Sequence, residues 1–142
     1  MKHTHSKTIL SPLKTVMISG TLLILPLMGF ILQDDAKWTA PASADKVKNP
    51  LIGKGSAEGK VLYGKKCESC HGKKGKGDGP KSEELEKPVG DMTTAEFHAQ
   101  SDGAIYWKIT EGKKPMPSSK KELTDDERWQ LVNYVREFKP QK

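Results

Sequence analysis

Cys67-Glu68-Ser69-Cys70-His71 is the stretch on which the reading of this chain turns, and it holds the only two cysteines in 142 residues. A disulfide between them would close a tiny loop, and neither thiol has another partner. A thioredoxin-like redox pair needs a surrounding βαβ pattern, which the flanking sequence lacks. A zinc site needs further cysteine or paired histidine ligands, and only His71 and His98 lie nearby. The remaining meaning of C-x-x-C-H is covalent haem attachment. Two thiols three residues apart share one turn, so each can add to a haem vinyl group. The adjacent histidine is then held beneath the iron as proximal ligand. A single motif with no spare cysteine suits a haem c matured outside the reducing cytoplasm.

A second axial ligand must come from further along. Met116 stands in Gly112-Lys113-Lys114-Pro115-Met116-Pro117, forty-five residues after His71. Its two flanking prolines fix the backbone and prevent helix, which presents the thioether from a stiff loop. Met92 and His98 are the alternatives. Met92 precedes a helix start expected at Thr93 or Thr94, where it could equally fill a gap in the core. A thioether as sixth ligand raises the potential and closes the iron to outside ligands.

The distribution of apolar residues separates the chain into parts. Of 49 hydrophobic residues, 16 fall in the first 32 positions, while all 18 acids and 21 of the 24 basic residues follow. Residues 16–32 (VMISGTLLILPLMGFIL) carry no charge and are preceded by Lys2, Lys7 and Lys14. A basic flank and an apolar run form an export signal with the lysines left inside. Seventeen residues lie at the boundary between a cleaved signal and a spanning helix. The small-x-small site Ala42-Ser43-Ala44 lies ten residues beyond Leu32, which favours retention of 1–32 as an anchor. Trp38 would then serve as an interfacial aromatic. Residues 33–51 have small residues, proline and glycine without apolar period, and read as a tether. Residues 52–142 read as the functional domain.

Within that domain three helices carry signals. Ala57–Cys67 follows Ser56 as possible N-cap. Ser101 or Asp102 can cap a helix bearing Ile105, Tyr106, Trp107 and Ile109, which Gly112 ends. Thr124-Asp125-Asp126-Glu127 is a capping box before the apolar face of Trp129, Leu131, Val132, Tyr134, Val135 and Phe138, with Pro140 as stop. Residues 72–91 contain five glycines and two prolines and read as loop. No strand alternation is visible, so the expected fold class is all-α: about four short helices around one covalently bound haem. Trp107 is expected either at the haem crevice or as a plain core aromatic. Only 27 of the 90 residues from 51 to 140 are hydrophobic, too few for a self-sufficient core. A buried macrocycle would supply the missing apolar area.

CESCH, the downstream Pro-Met-Pro and the terminal Trp-x-Leu-Val-x-Tyr-Val-Arg resemble class I cytochrome c over roughly residues 52–140. The resemblance implies that Gly59 and Tyr63 pack against Leu131 and Tyr134. It also implies that a proline carbonyl, with Pro80 the nearest in position, accepts the proximal histidine's N–H. His71-Gly72 through Gly77-Asp78-Gly79-Pro80 and Ser101-Asp102-Gly103 are similar to single-haem bacterial members. The anchor and tether depart from small soluble relatives.

The implied function is one-electron transfer through a haem c attached at Cys67 and Cys70, with His71 and Met116 on the iron and no catalytic residue. Lys65, Lys66, Lys73, Lys74, Lys76, Lys113, Lys114, Lys120 and Lys121 bracket the ligand loops and suit an acidic redox partner. Nucleic acid is not an expected partner. With an anchor, membrane respiratory complexes are. The expected location is the bacterial cytoplasmic membrane as a single-pass protein with the haem domain outside, or the periplasm if the segment is cleaved. A cytochrome subunit of a larger dehydrogenase or oxidase, and a haem enzyme or sensor with an open sixth position, are the rivals.

Overall fold

Among the described residues five α-helices carry the fold: α1 Ala57–Lys66, α2 Glu68–His71, α3 Ala95–His98, α4 Asp102–Glu111 and α5 Asp125–Val135. Single turns of 3-10 helix occur at Ala44–Lys46 and Ser82–Glu84. The computed structural model describes residues 37–139. The anchor or signal expected over 1–32, the start of the tether and the stop at Pro140 lie outside the described residues. Among the described residues there is no strand, only an isolated bridge between Lys113 and Met116, and no helix is long and apolar enough to cross a membrane. The class is all-α, as expected. The helix beyond the expected four is α2, the single turn made by the cysteine–histidine motif itself.

α5 begins where the capping box places it. Thr124's side chain accepts from the Glu127 backbone, and the Glu127 carboxylate accepts from the Thr124 backbone N–H at 2.7 Å. Three acids in its first turn face the positive end of the helix dipole. α5 ends at Val135, with Arg136–Phe138 in turns, five residues short of Pro140. At α4 the cap is Ser101, whose hydroxyl accepts from the Ala104 N–H at 3.0 Å. Asp102 binds Arg136 and Asn49 instead. Ser56 occupies the N-cap of α1 without capping it, because its hydroxyl donates to Glu137.

α1 and α5 cross at the centre of the core. Tyr63, Leu131 and Val132 are 1%, 1% and 0% exposed. Burying an aliphatic side chain to that degree stabilises by about 1.5–3 kcal/mol. The close approach depends on Gly59, where a Cβ would overlap the Gln130 carbonyl and press on the Tyr134 Cβ. Tyr63 stacks obliquely on Tyr134, centroids 5.2 Å apart, and meets Phe138 edge-on at 5.3 Å. The expected packing of Gly59 and Tyr63 on this face of α5 is what the chain does.

The described part of the tether is laid onto the helices. Ala44 is 5% exposed and packs on Gly103, where a Cβ would strike the Ala44 carbonyl. Asp45 accepts from the Ser101 hydroxyl at 2.6 Å, and Asn49 donates to Asp102 and Asn133 at 2.9 and 2.8 Å. Asn133 in turn donates to the Leu51 carbonyl at 2.8 Å. No apolar period announces this segment because polar side chains and one buried alanine hold it. Trp38, expected as an interfacial anchor, lies instead against Trp107, with centroids 6.3 Å apart.

Candidate functional site

The cysteine–histidine turn is built to hold three side chains on one short element. Cys67 ends α1, and the backbone N–H of His71 donates to its carbonyl at 2.9 Å. The glycines that follow turn the chain back: Gly77 donates to the His71 carbonyl at 2.9 Å, and Tyr63 donates its hydroxyl to Gly72 O at 2.7 Å. Burial holds the Tyr63 hydroxyl protonated far above the ordinary phenol range, so it stays a donor. Gly79 and Lys81 donate back to the carbonyls of Cys70 and Ser69.

His71 faces a cavity of about 950 Å³ whose lining also includes Cys67, Met92 and Met116, with Tyr63, Ile105, Ile109, Leu131 and Val135 as apolar wall. That volume falls at the large end of cofactor sites. Burial lowers the His71 pKa, which favours the neutral imidazole that binds metal. Its Nδ1 is buried and without a hydrogen-bond partner. The proline carbonyl expected near Pro80 therefore does not accept it. Burial, then the neighbouring Cys70, pushes the Cys67 thiol up to about 11, against the opposing charge of Lys66. Cys70 is half-buried on the same turn, with the Ser69 hydroxyl 3.9 Å from its sulfur, and is not part of the cavity lining.

Met116 reaches the cavity from a loop tied to the end of α4. Its N–H donates to the Lys113 carbonyl at 2.8 Å, and Ser119 N–H to Ile109 O at 3.2 Å. The Ser118 hydroxyl donates to Thr110 O at 2.6 Å. Gly112, at φ +65°, ends α4, and a Cβ there would collide with the Pro117 and Ser118 backbone. The loop can fold back on the helix only past a glycine. The Lys114–Pro115 peptide is cis. Met92 also lines the cavity, with its N–H on the Gly75 carbonyl at 2.7 Å. The fold thus brings both methionines to the histidine. His98 is elsewhere: its ring meets the Phe138 carbonyl, and it is not in the lining. Trp107 is not in the lining either.

Lys37, Gln100 and Lys108 on the cavity wall carry no sequence signal, and that of Trp38 points to a membrane interface rather than to the cavity. Lys108 sits between apolar residues of α4 at a spacing that reads as solvent-facing, and Trp38 lies in what reads as tether. Among the described residues no group of three or more His, Cys, Asp or Glu side chains could hold a bare metal ion. What the residues fit is an apolar macrocycle bearing its own metal: a large greasy cavity, two thiols on one turn, and a histidine on the cavity wall.

Fold and site together define a c-type cytochrome domain. The family described as cytochrome c oxidase, cbb3-type, subunit III matches residues 55–135, more than half of the chain, and the chain belongs to that family. Membership implies one covalently bound haem c, for which Cys67 and Cys70 are the cysteines available. A chain of the reducing HAO-like protein complex of Kuenenia stuttgartiensis is similar at 37% identity and TM-score 0.57, over 66% of this chain and 49% of its own. The present chain therefore spans about half of that neighbour. The KustC0563 c-type cytochrome is similar at 36% identity and TM-score 0.51, over 57% of this chain and 96% of its own. No curated protein sequence shows significant similarity. The chain is an electron-carrying cytochrome domain.

Proposed function

We propose that this protein carries one electron at a time between respiratory membrane complexes through an iron held by His71 and Met116. The observation that carries the reading is that His71, Cys67 and Met116 line one apolar cavity. Haem c, when bound, supplies a ferric/ferrous couple that needs no substrate site. The chain's part is to attach, orient and shield. Cys67 and Cys70 offer two thiols from one turn. Tyr63 fixes the backbone after His71 through its bond to Gly72. The α4-anchored loop aims Met116 and limits its freedom. Leu131, Val135, Ile105 and Ile109 exclude water and so support a raised potential.

Met116 is preferred over Met92 because a loop clamped on both sides by proline and tied to α4 holds its side chain at lower entropic cost. Ligand binding tests this. Ferrous protein should bind carbon monoxide poorly, and the ferric form should show a sulfur–iron charge-transfer band. Ready carbon monoxide binding without that band would establish an open-site enzyme or sensor instead.

The nine bracketing lysines are all exposed. Lys66 pairs with Glu122 and Lys120 with Glu111, which moderates the positive field without cancelling it. Such a field would steer an acidic partner at rates that fall with salt. The uncharged run at 16–32 supports anchoring in the bacterial cytoplasmic membrane as a single-pass protein, with the haem domain on the periplasmic side. A second reading is a cytochrome subunit working inside a larger oxidoreductase. It is favoured by the neighbour named for a protein complex and by the oxidase-subunit description of the family. Mild solubilisation of membranes separates the two: a stoichiometric enzyme partner would replace the free-carrier reading.

A further inference from the structure

The cavity wall extends beyond the segment that defines the family. The family match begins at residue 55, yet Lys37, Trp38, Thr39, Ala40 and Asp45 line the cavity. Trp38 is wedged between two groups of α4. Its ring meets Trp107 at 6.3 Å, and the Lys108 ammonium lies over it, 5.5 Å from the ring centroid. Lys108 lines the same cavity and donates to the side-chain oxygen of Gln100, a neutral amide. Gln100 is fixed in turn by Arg136, which donates to its backbone carbonyl at 2.5 Å while holding Asp102 at 2.8 Å. The charged groups acting on Lys108 are Lys37 and Glu96, and these pair with each other. Lys108 is thus held by a neutral amide rather than by a carboxylate and is partly desolvated, while the carboxylates of Asp45 and Asp91 stand elsewhere on the wall.

We infer that Trp38, from outside the family module, is a positioning residue for the redox site, holding the Lys108 ammonium against the cavity while sealing that side from water. This rests on the reading of the cavity as the haem seat. A fixed cation favours the ferrous over the ferric iron, and so does exclusion of water, because the oxidised centre carries the extra charge. Cation–π contact on an indole is the strongest of its kind, so phenylalanine at position 38 should keep the seal and part of the hold, whereas alanine loses both.

The test is potentiometric titration of full-length holoprotein bearing Trp38→Ala, Trp38→Phe, Lys108→Gln, or Trp38→Ala with Lys108→Gln. The thioether-linked haem spectrum of the unsubstituted protein is recorded first. Its absence would overturn the haem-seat reading itself. Given that spectrum, Lys108→Gln and Trp38→Ala should each shift the equilibrium three- to tenfold toward ferric iron, the upper figure being about 59 mV for one electron. Trp38→Phe should shift it less. The double variant should shift it by less than the sum, because part of the tryptophan's effect passes through the lysine. The inference is overturned if Trp38→Ala lowers only the melting temperature and leaves the potential unchanged, or if the two shifts add fully. Should Trp38→Ala fail to fold, an unchanged potential in Lys108→Gln alone would sink it.

Discussion

The α1–α5 crossing and the cavity beside it share Tyr63 and Leu131 but are completed differently. At the crossing, side chain meets side chain: Tyr63, Leu131, Val132 and Trp129 are all buried within the chain's own packing. One step away, Cys67, Met92, Phe97 and Ile109 pack against that core on one side only, and all four also line the cavity. The first region is finished by the polypeptide, the second by its cofactor. The shortage of apolar residues between 51 and 140 is therefore local, and it falls on the cavity side.

The largest effect should come from denying the cavity its occupant. Cys67→Ser with Cys70→Ser removes both attachment thiols, and the domain should lose most of its far-ultraviolet helical signal. A cooperatively folded, fully helical double variant would show the crossing to be sufficient alone. Next comes the ligand loop. Met116→Leu should abolish the sulfur–iron band and let ferrous protein bind carbon monoxide, whereas Met92→Leu should do neither. The reverse pattern would transfer the ligand role to Met92.

Substitution at the crossing should cost stability and leave the spectrum alone. Alanine normally improves a helix over glycine by about 1 kcal/mol. At Gly59 the overlap with the Gln130 carbonyl should outweigh this, giving a net cost of about 1–3 kcal/mol. Thermal unfolding of the holoprotein should then fall by about 5–15 °C with the haem bands unchanged. The smallest effect belongs to Thr124→Ala, worth about 1 kcal/mol. The backbone N–H and hydroxyl of Thr124 hold the Glu127 carboxyl below its ordinary range. A lowered carboxyl stabilises above its unfolded pKa, and the benefit disappears as pH falls through the folded value. The melting-temperature gap between wild type and Thr124→Ala should therefore be full at neutral pH and narrow below the usual glutamate range.

Much of this was legible in the residues, for identifiable reasons. Thr124-x-x-Glu127 is local chemistry, and the capping box forms where it is written. Cys67-x-x-Cys70-His71 states its own geometry, since one turn places all three. Gly59 and Tyr63 against α5 followed from the resemblance, and the overlap at Gln130 supplies the physical reason. What stayed hidden depended on partners distant in sequence. Trp38 gave no sign that it belonged to the domain, because its contacts are to Trp107 and Lys108, about seventy residues away. Ser56 stands at the N-cap of α1 as its sequence suggests but makes no capping bond, because its hydroxyl goes to Glu137, eighty-one residues on. The acceptor expected for His71 near Pro80 is not made, and Nδ1 lies buried without a hydrogen-bond partner.

The pairing of α1 with α5 also sets an order of events. α5 begins fifty-four positions after His71, so during synthesis the attachment motif emerges before the helix that packs on α1 and walls the cavity. The chain segment between them must close as a loop, whose entropic cost grows only slowly with length. The cavity is thus open from the α5 side until that helix has emerged. The closing helix is the one with the strongest self-contained start signal, so it can form quickly once the cofactor is in place.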